Sequence, residues 1–122
     1  MRAILDTSVV IAADVAPLDG DLAISAVTLA ELHFGVLVAR THGGRTERLR
    51  RLMLLQKVFH ALPIDDAAAS SYGQIAAAIA SPRPRSMDLL IADTARTHDA
   101  RLYTRNAANF RGLEELIDIV PV

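Results

Sequence analysis

Four polar side chains in this 122-residue chain stand where chemistry could be done: Asp6, Glu31, Asp88 and Asn106. Asp6 and Asn106 each follow a short apolar run that reads as a strand, Ala3-Ile4-Leu5 and Arg101-Leu102-Tyr103-Thr104. Glu31 and Asp88 each fall in the first turn of a predicted helix. In a doubly wound α/β fold, strand ends and helix starts share one edge, so these scattered positions can converge. Three carboxylates brought together repel one another unless a divalent cation sits between them. Oxygen donors with little else point to Mg²⁺ or Mn²⁺. Such an ion lowers the pKa of bound water and stabilises charge on a reacting phosphoryl group. The reaction class indicated is metal-assisted phosphodiester hydrolysis.

Each residue also has a plainer use. Asp6 can be a turn or cap carboxylate, since Asp is a preferred helix cap. Thr28-Leu29-Ala30-Glu31 fits a capping box in which Glu31 reaches back to the Thr28 amide. Asp93 lies five residues after Asp88, about 140° around an ideal helix, so it should not share that residue's direction. A pair with Arg96, one turn on, is its expected use. His33, His42, His60 and His98 show no metal-ligand spacing and read as surface or helix-end residues.

Composition narrows the class. Just over half the residues are apolar (52%) and 22% are charged, which describes a globular chain and excludes a disordered one. With no cysteine, a disulfide or thiolate metal site is impossible. No apolar run approaches the ~20 residues of a membrane span, and the first residues reach a charge too soon for a signal peptide, so a cytoplasmic protein is expected. Net charge is −1, but its distribution is uneven. Residues 45–57 carry five bases against one acid, and 83–111 carry six arginines against three acids. Only Lys57 is a lysine; an arginine preference suits phosphate contact and equally suits a GC-rich genome.

The elements that must position these residues can be read in order. After the first strand, Thr7 or Ser8 caps a helix from Val9 to about Asp14. A turn-rich loop leads to a strand at Leu22–Ser25 and a helix from Val27 to about Arg40, with Leu29, Leu32, Val36 and Leu37 at the helical period. Gly43-Gly44 breaks that helix, and Thr46 caps the next, Glu47 to about His60. Leu62–Ile64 is an edge-like strand, and Asp65 caps an alanine-rich helix from Asp66 to Ala80. Ser81-Pro82-Arg83-Pro84-Arg85 should run extended, holding two guanidiniums outward. Ser86 then caps a helix from Met87 to about His98. The strand at Arg101–Thr104, a loop, a helical turn at Leu113–Leu116 and a last strand at Ile117–Val120 follow. The order β-α-β-α-α-β-α-α-β-α-β predicts a central parallel β-sheet flanked by α-helices in three layers, one domain over residues 1–122.

At this point the chain resembles PIN-domain ribonucleases, and among them VapC-type toxins of bacterial type II toxin–antitoxin modules. The stretches that carry the resemblance are Leu5-Asp6-Thr7-Ser8, Ser25 through Leu32, Asp88-Leu89-Leu90-Ile91-Ala92 and Leu102-Tyr103-Thr104-Arg105-Asn106 with Phe110. They come in the family's order, from Met1 to about Val120. The resemblance implies a PIN-domain-like fold and a Mg²⁺- or Mn²⁺-dependent endoribonuclease with Asp6, Glu31 and Asp88 as metal-binding acids. Asn106 falls where many members carry Asp; its carbonyl can still bind a metal or its water, but it adds no charge. Ser8 and Thr104 match hydroxyls that orient the carboxylates, and Asp93 is kept only as a residue behind them.

The resemblance also implies a VapB-type antitoxin partner, an RNA substrate (tRNA, rRNA or mRNA) and a homodimer. The apolar surface expected to receive the antitoxin is Leu32, Val36, Leu52, Leu55 and Phe59. With few aromatics, RNA contact is expected to rest on phosphates and shape, through Arg83, Arg85, Arg105 and Arg111. Two rivals remain open: a PIN-like interaction module without catalysis, and a phosphoacceptor domain with Asp6 as acceptor. The second needs a lysine near the strand ends, and Lys57 is placed mid-helix.

Overall fold

A computed structural model describes residues 1–80 and 82–122. Five parallel strands form one sheet in the order β3-β2-β1-β4-β5: β1 Arg2–Leu5, β2 Asp21–Ser25, β3 Ala61–Leu62, β4 Arg101–Thr104 and β5 Ile119–Pro121. The helices are α1 Thr7–Val10, α2 Ala26–Leu37, α3 His42–Val58, α4 Asp66–Ala77 and α5 Ser86–Thr97. The chain leaves β1 toward β2 on one side and later returns to β4 on the other. The switch in direction therefore falls between β1 and β4, where a parallel sheet opens a crevice at its carboxyl edge.

Both faces of the sheet are covered, which is why Ala3-Ile4-Leu5 in β1 and Leu102-Tyr103 in β4 are consecutive buried residues rather than alternating ones. Ile4 and Leu102 point to one face and pack with Ile75 of α4, Leu89, Ile91 and Ala95 of α5, and Phe110 and Leu113. Ala3, Leu5 and Tyr103 point to the other, with Val9 of α1, Ile24, Leu29 of α2 and Phe59. Fully burying a side chain such as Ile4 or Leu102 contributes about 1.5–3 kcal/mol.

Helix boundaries differ from expectation where caps were misplaced. The first helix begins at Thr7, not Val9. Ser25, not Thr28, caps α2 by accepting the Val27 amide at 3.1 Å, so the expected capping box does not form and Thr28 is buried inside the helix. Thr41 caps α3 through the Gly44 amide at 2.9 Å. Gly43 and Gly44 thus open this helix instead of separating two, and a Cβ on Gly44 would stand 2.9 Å from the Thr41 hydroxyl. Asp65 does cap α4, accepting the Ala68 amide at 3.0 Å. Residues 83–85 form a 3-10 turn, not an extended strap, and Ser86 donates to the Arg83 carbonyl at 2.7 Å rather than capping α5. The part of the expected strap at Ser81 lies outside the described residues.

Asp93 is the outlier of the core. It is wholly buried on α5 against α4, where Thr97 donates to Oδ1 at 3.5 Å and Oδ2 has no hydrogen-bond partner. The expected ion pair with Arg96 does not form among the described residues: their side chains stay out of salt-bridge range, and Arg96 leaves a buried NH unpaired. Burial pushes the Asp93 carboxyl above its ordinary pKa, partly offset by the Ser71 and Thr97 hydroxyls and the Arg96 charge. A carboxyl with a raised folded pKa stabilises the fold where it is protonated, below the unfolded value, and that contribution is lost as pH rises through the raised value. Asp93→Asn keeps the shape without the charge. It should melt above wild type at pH 8, with the gap closing toward pH 4; thermal melts across this range check it.

Candidate active site

The end of β1 delivers Asp6, and the end of β4 delivers Thr104, to the crevice between the two strands. Their backbones are tied directly, with the Asp6 amide donating to the Tyr103 carbonyl at 2.9 Å. Asp6 occupies the cap position of α1, yet its side chain takes no capping amide. Instead Asp6 Oδ2 accepts two hydroxyls, Ser8 Oγ at 2.8 Å and Thr104 Oγ1 at 2.8 Å. Asp6 is 3% exposed and Thr104 is fully buried, so this carboxylate is held by groups that cannot easily turn away. Ser8 Oγ also accepts the Arg105 amide at 3.0 Å, and Thr104 Oγ1 the Asn106 amide at 2.9 Å. The two hydroxyls therefore fix both the carboxylate and the start of the loop that follows β4.

Glu31 approaches from the second turn of α2. Thr7 Oγ1 donates to Glu31 Oε1 at 2.7 Å and lies 2.9 Å from the buried Thr28 hydroxyl. Thr7 and Thr28 were missed as positioning residues, because both had been read as helix caps. The signal was available: Thr28 and Glu31 sit three apart on one helical face, and the Asp-Thr-Ser run places a hydroxyl beside Asp6.

Asp88 completes the group from the first turn of α5. Partial burial pushes its carboxyl above the ordinary pKa, and the charges of Asp6 and Glu31 push it the same way, while Arg85 opposes them. Asp88 thus feels the charges of both Asp6 and Glu31. Among the described residues, however, no three acids or histidines gather closely enough to grip one ion as they stand. Glu31 is turned toward Thr7, so an ion requires a side chain to turn inward. The donor set suits a hard divalent cation: oxygen only, mutually repulsive, and backed by hydroxyls.

The other expected residues divide. Asn106 heads the loop after β4 through its amide bond to Thr104, with its side chain exposed. Asp93 faces Ser71 and Thr97, away from the acids. Arg105 pairs with Asp14 at 2.9 Å, and Arg85 is spent on backbone carbonyls of the same loop. Arg83 and Arg111 are exposed and form no ion pair among the described residues.

Residues 3–116 match the PIN domain family, and a parallel sheet ordered 3-2-1-4-5 between layers of helices agrees with that class of fold. The chain belongs to that family. It is 36% identical over 111 residues to Ribonuclease VapC5 of Mycobacterium tuberculosis (strain ATCC 25618 / H37Rv), covering 84% of this chain and 82% of that protein. Its fold superposes with a TM-score of 0.78 and 31% identity on a member of the VapBC family of toxin–antitoxin systems, VapBC-5, from Mycobacterium tuberculosis, over 99% of this chain and 97% of that one. FitAcB from Neisseria gonorrhoeae gives 0.75 at 25% identity, over 96% and 95%.

Charge repulsion at the site has a measurable sign. Asp88 has a raised folded pKa, so without metal its contribution is favourable when protonated and fades as pH rises through the raised value. In chelator, Asp88→Asn should therefore melt above wild type at pH 8 and equal it near pH 4. If the three acids share one ion, millimolar Mn²⁺ should raise the melting temperature of wild type at pH 8 and leave Asp88→Asn nearly unmoved.

Proposed function

We propose that this protein is the toxin of a toxin–antitoxin pair, an endoribonuclease that hydrolyses RNA phosphodiester bonds with Mg²⁺ or Mn²⁺ held by Asp6, Glu31 and Asp88. The observation that carries the reading is the pair of hydroxyl-held carboxylates, Asp6 and Glu31, at the carboxyl edge of a PIN-domain sheet in a chain over a third identical to a ribonuclease. A bound divalent ion supplies Lewis acidity there, activating water and offsetting charge on the phosphate. Ser8 and Thr104 orient Asp6 from one side, and Thr7 orients Glu31 from the other. Asp88 enters from the first turn of α5, where partial burial raises its pKa above the ordinary carboxyl value. Asn106 presents an amide at the same edge and adds no charge. Arg83 and Arg111 are exposed guanidiniums that could meet RNA phosphates, whereas Arg85 donates to backbone carbonyls and Arg105 pairs with Asp14.

The antitoxin reading rests on a groove of about 470 Å³ between α1, α2 and α3. Ile11, Leu32, Leu52 and Leu55 line it, and its end reaches Thr7 and Glu31. A partner helix with an apolar stripe fits such a groove and ends beside the acids. The expected receiving surface is corrected in part: Val36 is buried away from the groove, Leu52 meets it only as its buried floor, and the exposed apolar residues nearby are Phe34, Leu37, Val38, Leu49, Met53, Leu54 and Val58. No helix among the described residues is long and apolar enough to cross a membrane. A cytoplasmic toxin that pairs with itself as well as with its antitoxin fits this reading. The phosphoacceptor rival loses support, since Lys57 lies in the last turn of α3 with its side chain exposed.

The test is RNA cleavage with Mn²⁺ and with chelator. Asp6→Asn, Glu31→Gln and Asp88→Asn should each lower kcat at least about a hundredfold, comparable to losing one preorganised electrostatic group. Asp93→Asn should stay within a few-fold of wild type. An active, folded Asp88→Asn protein sinks the assignment. Arg83→Ala should weaken RNA binding and reduce the salt slope by about one unit if that residue meets a phosphate.

A further inference from the structure

Arg85 ends the 3-10 turn over Arg83–Arg85 and stands three residues before Asp88. Its guanidinium folds back onto the loop after β4. Arg85 Nε donates to the Asn109 carbonyl at 3.0 Å, and one terminal nitrogen donates to that same oxygen and to the Arg111 carbonyl at 3.2 Å. These carbonyls close the short 3-10 turn over Ala107–Phe110, whose Phe110 is fully buried in the core. The opposite end of the same loop is held by the Asp6 network, through Ser8 to the Arg105 amide and through Thr104 to the Asn106 amide. The loop is thus fastened at both ends to the two elements that carry Asp6 and Asp88. A permanently charged, planar fork suits two neighbouring carbonyls, and a lysine ammonium does not reproduce that geometry.

We propose that Arg85 is a positioning residue: it locks the loop 105–111 to the start of α5, and so holds Asn106 at the edge of the acid cluster, instead of binding substrate phosphate. The proposal rests on the function assigned above. The guanidinium also opposes the repulsion that Asp6 and Glu31 exert on Asp88, which places its charge within reach of the cluster. A phosphate contact would need the guanidinium to leave both carbonyls.

The experiment compares wild type, Arg85→Lys and Arg85→Gln in three measurements. Amide hydrogen exchange in chelator reads the lock without metal or substrate. The amides of Asn109, Arg111 and Leu113, bonded within this loop, should exchange about five- to tenfold faster in both variants. The Asp6 amide on the β4 ladder should not change, which shows that the variants are folded. Binding of a random-sequence oligoribonucleotide in chelator should keep its salt slope in Arg85→Lys and fall by less than half a unit in Arg85→Gln. Cleavage in Mn²⁺ should show kcat lowered about tenfold or more in both variants with KM unchanged, since Lys restores charge but not the fork. Unchanged exchange in both variants overturns the proposal, as does a full unit of slope lost in Arg85→Gln with the loop still protected. Faster exchange with unaltered kcat also overturns it, because the lock would then serve stability alone. If wild type itself neither responds to Mn²⁺ nor cleaves RNA, the assigned function falls and the positioning role falls with it, whatever the exchange shows.

Discussion

The grip of three hydroxyls on two carboxylates is the constraint around which the carboxyl edge of the sheet is built: Ser8 and Thr104 donate to Asp6, and Thr7 donates to Glu31. A carboxylate taken out of water, as Asp6 is, opposes folding unless it is hydrogen-bonded, and the surrounding groups share the task of holding it. Asp6 gives one oxygen to two hydroxyls, and Glu31 is drawn to a third. Asp88 stays only half-buried, with a guanidinium nearby. Charge-assisted hydrogen bonds of this kind offset part of the desolvation and fix each carboxylate in one direction. What they leave uncompensated is negative charge in a crevice, which a divalent cation neutralises best.

The rest of the architecture follows from keeping that edge in place. The two strands beside the switch point are buried on both faces, so their ends cannot fray independently. Helices α4 and α5 pack as a pair under one face, and α5 carries Asp88 on its first turn. Even the loop after β4 is fastened, at one end to the Asp6 hydroxyl network and at the other to Arg85. The acids therefore sit on rigid elements, while the apolar groove between α1, α2 and α3 stays open toward Glu31.

Much of this was legible in the sequence. Apolar runs ending in Asp6 and Thr104 gave the strands, and their alternation with helical periods gave a parallel sheet. The placing of Asp6 and Thr104 at one sheet edge followed from topology alone, because it depends on where strands end and not on side-chain detail. What the sequence concealed was hydrogen bonding. Thr28 and Glu31 satisfied a capping box on paper, but Ser25 took the cap and freed both for Thr7. Gly43-Gly44 resembled a break because glycine disfavours helix interiors, a penalty that matters little in a first turn capped by Thr41. Arg85 resembled a surface phosphate contact because nothing local shows that two carbonyls from residues 109 and 111 lie within its reach. Asp93 was rightly separated from Asp88 by helical angle, yet its burial without a full set of partners was invisible until α4 was seen against it.

Calorimetric titration of Mn²⁺ into the folded protein tests the central claim most directly, because it reads the cluster without any RNA. The account predicts saturable binding in wild type that weakens at least about tenfold in each of Asp6→Asn, Glu31→Gln and Asp88→Asn, since each supplies a charged oxygen to one shared ion. Wild-type affinity retained in any one of the three, with the fold intact, would contradict a single site built from these acids.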